Sequence, residues 1–360
     1  MKTAITELFG VKYPILLAGM GRVALPRMVA AVSNAGGLGV LGAGSTPPEQ
    51  TREYIREIRS LTDKPFGVNA PLLIPNGKDN AEVALEEKAP IINYSMGRGD
   101  WIAKRAHAYG GKVIASVTNV HLAQRAQAHG ADAVIAAGME AAGHAGDVTT
   151  FVLLPRLAEV LKIPVIAAGG VANGAGLMGA LALGAAGVSM GTRFLLTQES
   201  PLHENFKQAA LTLDVGDTIF SDRFDGVYNR VMRTPAAVRA ERTWMNPFQV
   251  LRDSFGIARE LRTPYLKLFM QVITAGPAKT LELMRMSQML KMHTITLTTG
   301  DLDTGMTASG MSVGLVHDVP TIAQLMERMV AEAQAAQARL MAVMANETPK
   351  RVPPAVAGAA

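Results

Sequence analysis

The 360-residue chain contains no cysteine. That absence excludes disulfides, thiolate nucleophiles, thiolate-ligated zinc and cysteinyl iron–sulfur clusters together, and it suits a reducing cytoplasm, the expected location. Aromatic residues are scarce at 5% (Phe 10, Tyr 6, Trp 2), and charged residues reach only 18%. No run of five like charges occurs, so a nucleic-acid-binding tail is not expected. No pair of histidines or carboxylates has metal-ligand spacing with a third ligand, so no metal site is expected. The N-terminal MKTAITELFGVKYP lacks an apolar stretch before a small-residue cleavage site, which argues against a signal peptide. Any redox chemistry would have to be borrowed from a cofactor.

What is abundant is small and aliphatic. Hydrophobic residues make up 49%, with Gly 35 and Met 20, enough for a packed core and incompatible with a disordered chain. The net charge is +5, and 12 basic against 7 acidic residues between Asp217 and Met292 account for all of it. That excess reads as a solvated basic face or as the mouth of an anionic-ligand site. Residues 163–192 carry no charge, but Pro164, Asn173 and eight glycines would break a membrane helix repeatedly. No membrane span is expected; strand, glycine loop, helix and strand fit the segment better.

Short apolar runs at 14–20, 38–44, 65–72, 91–96, 112–117, 132–138, 164–170 and 187–194 alternate with helical patterns at 25–35, 48–61, 80–88, 100–109, 120–129, 151–161 and 174–183. Asp100 stands where an N-cap would. This beat predicts a parallel α/β architecture, an eightfold (β/α)8 TIM barrel, with a doubly wound sheet as runner-up. The barrel should span 1–216. A mostly helical cap follows strand eight over 217–299, then a return loop and closing helix over 300–346 and a flexible tail over 347–360.

A barrel puts its chemistry at the C-terminal strand ends. Gly37-Leu38-Gly39-Val40-Leu41-Gly42 matches G-x-G-x-x-G in letter, but it ends a helix and enters a strand. It reads as close helix–strand packing rather than a dinucleotide site. Ala167-Ala168-Gly169-Gly170 and Met190-Gly191-Thr192 end strands seven and eight, where barrel loops commonly cradle phosphate; tight-turn packing is the other reading. His144 lies between glycines in the loop after strand six, a candidate acid/base or hydrogen-bond donor. The remaining histidines, His293 among them, fall in or beside helices and read as surface or core residues. Asn69 could bond a heteroaromatic ring edge or cap its loop. Met284, Met286, Met289 and Met292 read as core or cap filling rather than a ligand groove.

As a set, AAVSNAGGLG (30–39), DKPFGVN (63–69), GMEAAGHAG (138–146), IPVIAAGG (163–170), MGTRF (190–194) and GMTASGMSVGL (305–315) resemble an FMN-dependent family. It contains nitronate monooxygenases (2-nitropropane dioxygenases), NADH:quinone reductases and enoyl-ACP reductase II. The resemblance implies FMN, with Gly19, Met20, Gly21 and Asn69 about the flavin ring. Ala168, Gly169, Gly170, Gly191 and Thr192 would hold the phosphate, Gly143 and Met311 would complete the cofactor contacts, and His144 would be catalytic. Arg22 stands where the family often has an aromatic residue; it could bind an anionic substrate or nucleotide phosphate, or face solvent. Tyr94, at the end of strand four, is a second substrate candidate.

The implied activity is oxidation of small alkyl nitronates with O2. The alternative is NAD(P)H-dependent reduction of quinones or enoyl thioesters. A flavin-binding protein whose basic cap docks a carrier or multienzyme partner is the reading from another class. A homodimer is compatible with the sequence, which does not fix the oligomeric state.

Overall fold

The protein is described by a computed structural model covering residues 1–242 and 277–345. The uncharged apolar runs become eight short parallel strands: β1 (Ile15–Leu17), β2 (Gly39–Gly42), β3 (Phe66–Pro71), β4 (Ile91–Ser95), β5 (Lys112–Val117), β6 (Ala133–Ala137), β7 (Val165–Ala168) and β8 (Gly187–Met190). Each pairs with its sequence neighbour from β2 through β8, and β1 pairs with β8. The remaining seam closes through Leu38, which donates to the Ile15 carbonyl and accepts from the Leu17 N–H, both at 3.0 Å. The result is a TIM barrel with its helices outside.

Strands covered on both faces need apolar residues at every position, and β1 is buried throughout. Leu16, Val40, Ile91, Ile114, Ile135 and Ile166 fill the barrel interior, and Ile5 and Phe9 of the first helix (Ala4–Phe9) plug its lower end. With that end filled, open space is left at the C-terminal ends of the strands. In β2, a Cβ on Gly39 would meet the Val29 carbonyl oxygen at 2.1 Å, and one on Gly42 that of Met20 at 2.1 Å. The glycine motif is therefore close packing, as its position implied. Gly99, not Asp100, is the N-cap of the helix Asp100–His107; the carboxylate sits in the first turn, where it still faces the positive end of the helix.

Beyond Met190 the chain makes a helical turn (Thr192–Leu195) and a helix (Glu204–Ala210), so strand eight stops short of residue 194. The segment from 217 is not helical at first. β9 (Thr218–Ser221) and β10 (Asn229–Met232) form an antiparallel hairpin. Ile219 and Val231 pack with Phe224, Ala237 and Met306 in a small core of their own; burial alternates along β9, but β10 is buried throughout, its Asn229 and Arg230 included, so its polar residues mask a buried strand. A cap helix (Pro277–Thr298) starts directly after Gly276. The expected helical stretch before it, with Pro264, and the tail from 347 lie outside the described residues.

The closing helix (Ile322–Met344) opens on a capping box: the Thr321 N–H donates to Gln324 Oε1 at 3.0 Å, and the Gln324 N–H to Thr321 Oγ1 at 3.2 Å. Among the described residues no helix is long and apolar enough to cross a membrane.

Candidate functional site

The strand ends and the cap enclose a cavity of about 1060 Å³. One wall is barrel: Gly19, Met20 and Gly21 after β1, Asn69 in β3, Ala168 and Gly169 at β7, and Gly191 and Thr192 at β8. The loop after β6 adds Gly143 and His144, and the opposite wall is the cap helix.

The β1 loop touches β3. A Cβ on Gly19 would lie 2.3 Å from Asn69 Cβ, so only glycine permits the approach. Asn69 Nδ2 donates to the Gly19 carbonyl at 2.8 Å. Its Oδ1 is buried and has no hydrogen-bond partner among the described residues. A buried amide oxygen left unmatched beside a cavity calls for a donor from whatever occupies that cavity, and the ring N–H of a flavin supplies one. Gly169 (φ +103°) and Gly170 (φ +77°) both have left-handed backbone. The N–H groups of Gly169, Gly170 and Gly191 donate to no backbone or side-chain acceptor among the described residues. Successive unengaged amides of this kind form a concavity suited to an anion. The residues present therefore fit a flavin mononucleotide-like group at both its ring and its phosphate. Gly170 is not itself a lining residue. Thr192 Oγ1 already accepts from the Gly310 N–H at 2.9 Å, tying the return loop to β8.

The loop carrying His144 is held at several points. Glu140 accepts from the Thr150 N–H at 2.9 Å and from Thr150 Oγ1 at 2.7 Å. Arg230, from β10, donates to the Met139 carbonyl through Nε at 3.1 Å and Nη2 at 3.0 Å. The backbones of Gly143 and Arg230 bond in both directions. His144 Nε2 then lies 2.9 Å from Oδ2 of Asp225, in the connection between β9 and β10. Asp225 also accepts from Asn229 Nδ2 at 2.7 Å and from the Val227 N–H at 3.2 Å. Burial works to raise the Asp225 pKa, but the hydrogen bonds from His144, Asn229 and Val227 and the His144 charge outweigh it and hold the carboxyl below its usual range.

Besides Gly170, three expected positions fall outside the cavity lining. Tyr94 is buried in the layer between strands and helices, while its neighbours Asn93 and Ser95 face the cavity. Strand alternation turns its ring away, and burial pushes its phenol up to about 12. Arg22, in a left-handed conformation (φ 65°), donates through Nη1 to Thr294 Oγ1 of the cap helix at 2.5 Å and is not a lining residue. Met311 opens a short 3-10 helix (Met311–Leu315) and donates its N–H to the Glu140 carbonyl at 3.0 Å; Gly310 and Ser312, not Met311, line the cavity.

Two groups were missed or misread. Met284, Met286 and Met289 line the cavity; Met289 also packs on the hairpin core, as does Met292, which does not line the cavity. His293 also lines the cavity, where the nearby backbone of Gly21 and Met306 favours its protonated form. Burial, and then the positive charge of Arg22, pushes it down to about 4, so it is neutral at physiological pH. Met286, Met289, Leu290 and His293 form an i, i+3, i+4, i+7 stripe, the one signal that could have revealed them. Among the described residues no group of histidines and carboxylates could hold a metal ion.

A family model described as nitronate monooxygenase matches residues 2–98 and 79–332 of the chain. A "(3aS,4S,5R,7aS)-5-hydroxy-7a-methyl-1-oxo-octahydro-1H-indene-4-carboxyl-CoA dehydrogenase" of Rhodococcus jostii is 36% identical over 340 residues, covering 92% of this chain and 96% of that protein. A nitronate monooxygenase of Paraburkholderia phytofirmans is 35% identical over 280 residues, covering 64% of this chain and 76% of that protein. The structure of FabK from Thermotoga maritima superposes with a TM-score of 0.81 at 35% identity, covering 95% of this chain and 99% of that one.

Proposed function

The chain belongs to the nitronate monooxygenase family of flavin oxidoreductases, and from that premise we propose that it is an FMN-dependent dehydrogenase of a bulky, apolar hydroxyacyl thioester of coenzyme A. The observation that carries this reading is the cavity. Its volume of about 1060 Å³ would hold the FMN as well as the substrate, and methionines and leucine from the cap helix form an apolar far wall that lies away from the residues assigned to the flavin. A small nitronate would leave most of that apolar surface uncovered. The similarity to the Rhodococcus jostii dehydrogenase also runs through the cap, covering 92% of this chain. That relative's name describes a fused bicycle with a hydroxyl next to a thioester-bearing carbon.

FMN, when bound, would supply a two-electron acceptor. The Asn69 amide oxygen would accept from its ring, and the free amides of Gly169 and Gly191 would hold its phosphate. The Met284, Met286 and Met289 side chains would cover the apolar ring system of the substrate and keep water out. His144 would take the substrate's hydroxyl proton as the carbinol C–H electron pair leaves, giving a ketone; in reverse it would return that proton. A pyridine nucleotide is the expected second electron carrier.

Oxidation of small nitronates is the second reading. The family match favours it, and His144 would then hold the anionic nitro oxygens. Anaerobic reduction of the bound flavin separates the two. The expected result is rapid bleaching by an alicyclic 3-hydroxyacyl-CoA and slow bleaching by propionate 3-nitronate. The reverse order would replace the first reading with the second. Bleaching by NADH or NADPH alone, with reoxidation by a quinone or enoyl thioester, would instead make the enzyme a reductase.

A further inference from the structure

We propose that Asp225 is the positioning residue of His144: it fixes the imidazole with its proton on Nε2, so that Nδ1 is the atom that takes and returns the substrate proton. The role of Nδ1 in proton transfer rests on the dehydrogenase reading above; the assignment of the ring proton does not.

The argument starts from what a carboxylate can do. Three donors converge on Asp225: the His144 ring at Nε2, the Asn229 amide and the Val227 N–H. Asp225 is 6% exposed, and that small exposure is turned to the cavity it lines, so these three donors supply nearly all of its hydrogen bonding. An ionised carboxylate only accepts. At 2.9 Å from Oδ2, Nε2 must therefore be the protonated nitrogen, and in the neutral ring Nδ1 keeps the lone pair. His144 itself is partly exposed and lines the cavity. When Nδ1 gains a proton, the ring becomes a cation 2.9 Å from a buried anion, which stabilises the state formed during transfer.

The carboxylate comes from a different part of the chain than the histidine, 81 positions away. The two are nevertheless held as one unit. β10 follows Asp225 within four residues, and its Arg230 grips the Met139 carbonyl and bonds the Gly143 backbone beside His144. The hairpin therefore positions both members of the pair.

The primary test is made on the parent holoenzyme with nitrogen-15-labelled histidine, using Nε2 and Nδ1 shifts and their long-range proton couplings. The expected pattern for His144, identified by its loss in His144→Gln, is the Nε2–H tautomer. An Nδ1–H tautomer overturns the proposal whatever the substrate is. In Asp225→Asn the amide can donate to Nε2, releasing the tautomer. The expected kinetic result is a fall in kcat of about 100-fold or more with KM changed less than about threefold and the flavin spectrum retained. Parental kcat in a flavin-loaded Asp225→Asn enzyme overturns the proposal. Should that variant fail to fold, Asn229→Ala removes one donor while leaving the carboxylate: it should keep the Nε2–H tautomer, and its loss would count against the arrangement. Failure of every thioester to reduce the flavin, with the Nε2–H tautomer present, would sink the substrate reading alone.

Discussion

The two walls of the cavity are built from different materials. Where the cofactor would sit, the barrel wall works largely through backbone: glycines after β1, β7 and β8 bring amides to the site beside Asn69, while polar side chains such as Asn93, Ser95 and Ser116 line the floor. The cap wall works through side chains: Met286, Met289, Leu290 and His293 on one helix face, Met284 near the start of the same helix, and Asp225 of the hairpin paired with His144. A wall of backbone amides recognises what its ligand always carries, a phosphate and a planar polar ring. A wall of flexible thioethers adapts to apolar shape and tolerates change. The division implies that barrel substitutions act on cofactor retention whatever the substrate, and cap substitutions on substrate choice with the cofactor in place.

The largest expected effect tests the barrel wall. In Gly19→Ala the new Cβ would lie 2.3 Å from Asn69 Cβ, so either the β1 loop or Asn69 must move. Overpacking of this kind costs about 2 kcal/mol, and Asn69 would shift as well. Titration of the apoprotein with FMN should show affinity reduced by about thirtyfold, the equivalent of that energy. The comparison breaks if Gly19→Ala binds FMN normally, or if a cap variant loses FMN to the same degree.

The barrel wall was legible in the sequence because its chemistry lies in the main chain at a strand end. Gly169, Gly191 and Asn69 needed only the β/α beat to be located, while Gly170, one step further on, falls outside the lining. The strand beat does not give parity, and Tyr94 fell to that: one position either way would have put it in the cavity. The cap side was poorly legible for two reasons. A helix stripe such as Met286, Met289, Leu290 and His293 looks the same whether it faces a core or a cavity, and only the packing of the whole helix decides. The Asp225–His144 pair depends on a hairpin folding against a distant loop, for which no local pattern exists.

A smaller effect sharpens the status of His293. In the unfolded chain a histidine titrates near about 6.5, whereas in the folded protein burial and Arg22 push it down to about 4. Between those values the unfolded chain binds the extra proton, so folding stability rises with pH across that window and is lost as pH falls through it. Discounted for a ring that faces a cavity, the change is on the order of 1 kcal/mol. Asp225 also has a lowered pKa, but as a carboxyl it acts at lower pH, below about 4, so the two contributions separate. Urea unfolding at pH 5 and pH 7.5 should show the increment in the parent and lose it in His293→Gln. An unchanged increment would mean that His293 is charged in the folded protein, and the cap wall would then suit an anion.

The smallest expected effect bears most directly on substrate. Met286 and Met289 are neighbours on the cap-helix face that lines the cavity. Replacing both with alanine removes apolar contacts on that wall without touching the β1, β7 or β8 loops. Each truncated methionine that covers the substrate should cost about 0.5 kcal/mol of its binding, less than full burial because cavity water or Met284 can occupy the space. KM for a bulky alicyclic thioester should then rise about fivefold, with kcat and flavin affinity near the parent values. KM for a nitronate, too small to reach that wall while sitting beside His144, should not move. Equal changes for both substrates would mean that the wall acts through the flavin, and the two sides of the cavity would no longer be separable.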